Sequence, residues 1–222
     1  MNCIYTETCP LVIDKPEECN TACIRYSEIK YLLNTSGIPE NRQKFQNLIT
    51  EKSQDYDMHL FLDSIEADIV NFVKNGENLI LHSEKTGNGK TSWAIQMMLA
   101  YFDSVWAGNG YTERATFVHV PTFLSRYKTF KDDEKFSQMK DRLPTIDLVV
   151  LDDVGTNKMS DFDISLLTSI IDQRILAERS IIVTTNKNES EFVDAVGKRI
   201  ADRLWSTSTV VHFENSSYRG VR

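Results

Sequence analysis

The sequence predicts an α/β protein, a parallel five-stranded sheet flanked by helices, preceded by a small helical module. Three observations carry that prediction. From Leu79 onward, short apolar runs suited to buried strands alternate with helix-length stretches. The first run leads through a glycine-containing loop, Glu84 to Gly89, into a helix, and the third ends in adjacent carboxylates, Asp152 and Asp153. In order, the expected strands are 79–81, 116–120, 148–151, 181–184 and 209–213, all rich in β-branched or other apolar residues. Helices are expected between them over 91–102, 123–130, 163–177 and 195–205. Near-continuous apolar strands of this kind need cover on both faces of the sheet.

Residues 1–55 read as an N-terminal module and 56–222 as the main domain. The module carries two helix-like stretches, 23–34, closed by Ser36-Gly37-Ile38-Pro39, and 40–49. A polar interval, 50–57, reads as a linker. Phe61, Ile65, Ile69 and Val73 then recur at i+4 spacing, a helix face ended by Asn75-Gly76. All four cysteines, Cys3, Cys9, Cys19 and Cys23, fall in this first module. In a reducing compartment that cluster suggests a four-thiolate Zn²⁺ site, the alternative being four reduced, partly buried thiols.

Composition narrows the function. With 41% apolar and 26% charged residues the 222-residue chain is an ordinary globular protein. Its net charge of −7 excludes wrapping a polyanion with the whole surface, so any nucleic-acid contact must use a local patch. The longest mostly apolar stretch, 94–102, is interrupted by Gln96 and is too short to span a bilayer. The start, MNCIYTETCPLVIDKPEE, lacks the basic residues and apolar run of a secretory signal. A cytoplasmic protein with no membrane partner is expected.

The segment Glu84-Lys85-Thr86-Gly87-Asn88-Gly89-Lys90-Thr91-Ser92 fits a Walker A phosphate loop, except that Glu84 stands at the first glycine position. Gly87 and Gly89 allow backbone N–H groups to curl around phosphates at a helix N-terminus. Lys90 is placed to reach the β- and γ-phosphates of ATP, and the Thr91 hydroxyl to ligate Mg²⁺. The strand ending in Asp152 and Asp153 fits a Walker B arrangement. Asp152 would hold Mg²⁺ through water, and Asp153 would polarise the attacking water, although it is one methylene shorter than the usual glutamate. Asn186, closing the next strand, can sense the γ-phosphate. Arg199 and Arg203 lie one turn apart on a helix, and Arg219 lies near the C-terminus.

Together these residues resemble the AAA+ ATPases of the DnaC/DnaI helicase-loader family, with the IstB transposition helpers as relatives. The resemblance covers about residues 58–222 and rests on Gly87–Thr91, Leu148–Gly155, Thr184–Asn186, Gly197–Arg203 and Ser217–Arg219. It implies a P-loop AAA+ fold, slow ATP hydrolysis stimulated by single-stranded DNA or assembly, Arg203 as the arginine finger with Arg199 as its competitor, and Arg219 as sensor II. It also implies an N-terminal module, sometimes zinc-bound, that grips a hexameric DnaB-like replicative helicase. The domains would self-associate in an ATP-dependent spiral that tracks single-stranded DNA, at positions matching Lys128, Phe130, Ser160 and Phe162. A lysine with aromatics suits a single strand, by phosphate attraction and base stacking, although Phe130 and Phe162 are equally suited to a core. The implied function is ATP-dependent helicase loading at replication initiation. The alternatives are an IstB-like transposition ATPase and a weakly or non-hydrolysing helicase-binding adaptor.

Overall fold

A computed structural model describes residues 9, 20, 22–49, 53–130 and 134–215. Five strands, β1 (Asn78–His82), β2 (Ala115–His119), β3 (Leu148–Asp152), β4 (Ser180–Thr185) and β5 (Ser208–His212), form one sheet in the order β2-β3-β4-β1-β5. Every pairing is parallel. Alternation along the strands splits the core in two. Leu79, Leu81, Leu148, Val150 and Ile182 face one layer, whereas Ile80, Val149, Leu151, Ile181 and Val183 face the other.

The first layer contains α1 (Ile24–Thr35), α2 (Tyr56–Ala67), α3 (Ile69–Lys74) and α4 (Lys90–Val105). The second is built by α5 (Val120–Phe130), α6 (Glu134–Arg142), α7 (Asp161–Leu176), α8 (Glu189–Val196) and α9 (Lys198–Thr207). Buried Arg174 of α7 ties this layer to the sheet, donating to the carbonyls of Leu143, Ile146, Asp147 and Ser180 at 2.5–3.0 Å. Because all strands run the same way, the loops after β1, β3 and β4 meet at one edge of the sheet, where ligands of open α/β folds bind.

Several elements differ from expectation, each for a local reason. The helix expected over 40–49 is a single 3-10 turn, Glu40–Arg42. One backbone group is taken by a tertiary partner, Gln46 N–H donating to Gln96 Oε1 at 3.1 Å, while the Gln43 side-chain amide folds back onto Ile38 O at 2.8 Å. The 61–73 series is split at Asp68, whose carboxylate accepts from Asn71 at 2.7 Å, a local bond that competes with the helix. Leu62, Ile69 and Phe72 are buried, while Phe61 faces out. The 195–205 helix is divided by Gly197, at φ 83° and ψ 152°, into α8 and α9. Helix α6 is too polar to have been read from its apolar pattern.

The described part of residues 1–55 packs into the same core as the sheet. Ile29, Leu32, Leu33 and Ile38 share the first layer with Leu79 and Met97. Ser36 O accepts from Phe117 N–H at 2.6 Å, extending the hydrogen bonding beyond the β2 edge. Gly37 is required there, since a Cβ would lie 2.6 Å from Phe117 O and its φ is +75°. In the interval read as a linker, Asp55 is buried and accepts from the N–H groups of Glu214 and Asn215 at 2.8 and 3.0 Å.

Candidate nucleotide site

The loop between β1 and α4 is shaped by its own side chains. Ser83 Oγ accepts from Lys85 N–H (3.1 Å) and from the Asn88 amide (2.9 Å). Gly87 and Gly89 take φ values of 76° and 101°, which turn the backbone back towards α4. The Lys90 ammonium is buried and donates to Lys85 O and Asn88 Oδ1, both at 2.8 Å. Thus the loop already curls around a cation at the positive end of a helix.

Across the loop stands the end of β3. Asp152 Oδ1 accepts from Thr91 Oγ1 at 2.8 Å and from Thr184 Oγ1 at 2.7 Å. Burial pushes the Asp152 carboxyl up, and the two hydroxyl bonds pull against it. Asp153 follows in a left-handed conformation, φ 58°, with its N–H donating to Thr184 Oγ1 at 3.0 Å. That strained turn separates the two carboxylates. His119, at the end of β2, places Nε2 3.5 Å from Asp153 Oδ2, and ligand atoms of His119, Asp152 and Asp153 lie within 4.8 Å of one another. A hydroxyl and two carboxylates form a hard oxygen set that suits Mg²⁺.

These groups meet at one cavity of about 530 Å³, lined by residues 86–93, Asp153 and Asn186, with Arg42, Gln46, Asn47, Leu48 and His59 forming the rest. The structure therefore brings Lys90, Thr91, Asp152, Asp153 and Asn186 together. Sequence reasoning missed Ser83, His119 and the 42–48 wall, and it placed Thr184 in the motif, two residues before Asn186, without its bond to Asp152. Ser83 acts within its own loop, whereas His119 and the wall depend on strand order and long-range bonds.

Glu84 and Lys85 depart from the phosphate-binding expectation, because their side chains are engaged elsewhere. Glu84 accepts from the Asn188 amide at 3.4 Å and lies 3.5 Å from His212 Nε2. Lys85 Nζ donates to Glu214 O at 2.5 Å. Glu84 thus joins the loop to the start of α8 and to β5 and does not line the cavity.

Arg199 and Arg203 share one carboxylate, Asp172 of α7, each at 2.7 Å. They face a different surface from the phosphate loop of the same chain, among Lys198, Asp202 and Ser206. Arg219 lies outside the described residues. On the opposite side of α7, Lys128 pairs with Asp163 at 2.7 Å, and Ser160 caps the helix through a reciprocal bond with Asp163. Phe162 is 53% exposed, which decides against a core role, and its ring lies 5.4 Å from that of Tyr127. Lys128, Ser160 and Phe162 therefore share one face. The side chain of Phe130 lies outside the described residues, as do Cys3 and Cys19; Cys9 and Cys23 are both half-buried.

The profile of the IstB-like ATP binding proteins matches residues 27–222. The replicative helicase loader DnaC of Escherichia coli (strain K12) is 25% identical over 165 residues, covering 72% of this chain and 60% of that protein. The chain's match thus spans less than two thirds of that relative's length. Among solved structures, the DnaC helicase loader superposes with a TM-score of 0.63 at 21% identity, covering 76% of this chain and 96% of the other. DnaI superposes with a TM-score of 0.64 at 15% identity, covering 82% and 94%. The fold is the P-loop AAA+ fold of these neighbours, and the similarity agrees with the resemblance read from the motifs. Among the described residues no helix is long and apolar enough to cross a membrane.

Proposed function

The chain belongs to the IstB-like ATP binding protein family, and from that premise we propose that it is an ATP-dependent helicase loader. It binds a hexameric, DnaB-like replicative helicase and helps place it on single-stranded DNA during replication initiation. The observation that carries the reading is the convergence of Lys90, Thr91, Asp153 and Asn186 on one cavity, with Asp152 bonded to Thr91 behind it, in a chain similar to DnaC. Lys90 exchanges its loop carbonyl partners for phosphate oxygens, and the loop N–H groups cradle the same charge. Thr91 and Asp152 would hold Mg²⁺, which would supply neutralisation of charge on the phosphates. Asp153 orients the attacking water and Asn186 fixes its position.

Arg203 completes the site of a neighbouring copy, because it sits on a surface away from its own loop. ATP therefore controls assembly. Lys128, Phe162 and Ser160 offer the strand a cation, a ring and a hydroxyl on one face. A structural Zn²⁺ on Cys3, Cys9, Cys19 and Cys23 would order the helicase-binding residues 1–55; metal analysis finding no zinc removes that part.

The family match also favours an IstB-like transposition ATPase, which would bind duplex DNA and a transposase. An adaptor that binds without hydrolysis is the reading that Asp153 favours, since it is one methylene shorter than the usual glutamate. Measured ATP turnover, with and without single-stranded DNA, separates the adaptor from the ATPases. The loader reading expects slow turnover that DNA accelerates, and it fails as an enzyme if turnover stays at background in both conditions.

A further inference from the structure

The oxygen ligands assigned to Mg²⁺ leave an imidazole beside them with no role. Strands β2 and β3 pair with His119 opposite Asp152, so their ends bring His119, Asp152 and Asp153 to one point. One ligand atom from each lies within 4.8 Å of the others. Asp153 turns back towards His119 through its left-handed backbone, φ 58°, pinned by its N–H donating to Thr184 Oγ1 at 3.0 Å. Such a conformation persists only where its surroundings impose it, and it is found most often at sites that bind or react.

The spacing favours a shared ion over a direct bond. His119 Nε2 stands 3.5 Å from Asp153 Oδ2, whereas a hydrogen bond between them would close to about 2.9 Å. Two ligands on a tetrahedral ion, each about 2.1 Å from it, lie about 3.4 Å apart. The other ring nitrogen, Nδ1, is 2.7 Å from the Thr122 hydroxyl at the start of α5. With that hydroxyl accepting, the proton sits on Nδ1 and Nε2 turns a lone pair towards Asp153, as in metal-bound histidines generally. The His119 and Asp153 side chains are 42% and 33% exposed, so an ion can enter and keep a water ligand. An imidazole with two carboxylates suits a borderline ion better than Mg²⁺, which prefers oxygen alone.

We propose that His119, Asp152 and Asp153 bind a divalent transition-metal ion of the Zn²⁺ class, in addition to the Mg²⁺ site of Thr91 and Asp152. An ion held there engages the carboxylate that orients the attacking water, which makes the hydrolytic centre responsive to such ions. That consequence rests on the ATPase reading above; the binding itself does not.

Titration of the nucleotide-free full chain with Co²⁺, followed by absorption spectroscopy, tests it. Co²⁺ on thiolates shows an intense near-ultraviolet charge-transfer band that Co²⁺ on nitrogen and oxygen lacks, so ions on the cysteines are counted separately. The parent should bind an ion without the thiolate band, and His119→Ala should lose it while keeping any thiolate-bound ion. Thr122→Val keeps the imidazole and removes its hydroxyl partner, so it should weaken the same ion about tenfold; this exposed position also covers the case of a misfolded His119→Ala chain. Equimolar Mg²⁺ should not displace the ion. A parent that binds Co²⁺ through thiolates alone would overturn the proposal and leave His119 and Asp153 as an ion pair, as would a His119→Ala chain that binds like the parent. Displacement by equimolar Mg²⁺ would overturn the transition-metal assignment. Because nucleotide is absent, each of these failures leaves the ATP-binding reading standing.

Discussion

Arg203 and Arg199 both rest on Asp172, so a finger must leave that carboxylate before it can reach a neighbour's nucleotide. The cost is small. The Arg199 and Arg203 side chains are 68% and 40% exposed, and ion pairs of exposed side chains are worth at most about 1 kcal/mol, a factor of about five in population. Asp172→Asn should therefore raise assembly-dependent ATP hydrolysis about two- to fivefold, by releasing the finger. Arg203→Ala should lower hydrolysis by about 10³, at the low end of what fingers contribute, while single chains still bind ATP. The assay is turnover of the mixed variants. A Lys90→Ala chain offers an intact Arg203, and an Arg203→Ala chain offers an intact phosphate loop, so the mixture should regain activity that each lacks alone. Two results would refute the reasoning. If the mixture stays inactive while the chains still associate, Arg203 does not act across an interface. If Asp172→Asn loses as much activity as Arg203→Ala, the carboxylate holds the arginine in its working position.

Lys90→Ala should weaken ATP binding about 10- to 100-fold, the usual worth of a charge-assisted hydrogen bond, with the fold intact by circular dichroism; unchanged affinity would remove Lys90 from the site. Lys128→Ala should lower the affinity for single-stranded DNA and flatten the slope of log affinity against log salt by about 0.7, one phosphate contact; an unchanged slope returns Lys128 to a purely structural role with Asp163. Burial pushes His59 and His82 below their ordinary range, so both are neutral in the folded chain. The unfolded chain then takes up more protons below about pH 6.5, and stability present above that pH is lost as pH falls through the folded values. The melting temperature should drop between pH 7.5 and 5.5, and His59→Gln should shrink the drop; a flat profile contradicts the burial argument.

The strands and the two Walker segments were legible because they are local. Five short apolar runs and one glycine loop fix which residues lie at the strand ends, and Lys90, Thr91, Asp152 and Asn186 fall together once those strands are parallel. What could not be read depends on strand order or on long-range bonds. His119 meets Asp153 only because β2 lies beside β3. The 40–49 stretch has a helical pattern, but Gln96 takes the Gln46 N–H that a helix would use. Glu84 stands at a glycine position of the loop, and its contact with Asn188, 104 residues on, is invisible in a local pattern. Phe162 illustrates the reverse case: sequence left core and surface open, and its exposure beside Tyr127 decides for the surface.

The central claim, that nucleotide binding here serves to load a helicase, is tested most directly by co-sedimentation of the full chain with a hexameric DnaB-like helicase, with and without ATP. The account predicts a stable complex whose capacity to deposit the helicase on single-stranded DNA depends on ATP and is lost in Lys90→Ala. A chain that ignores the helicase under both conditions, yet binds duplex DNA when ATP is present, would contradict it and leave the transposition ATPase as the better reading.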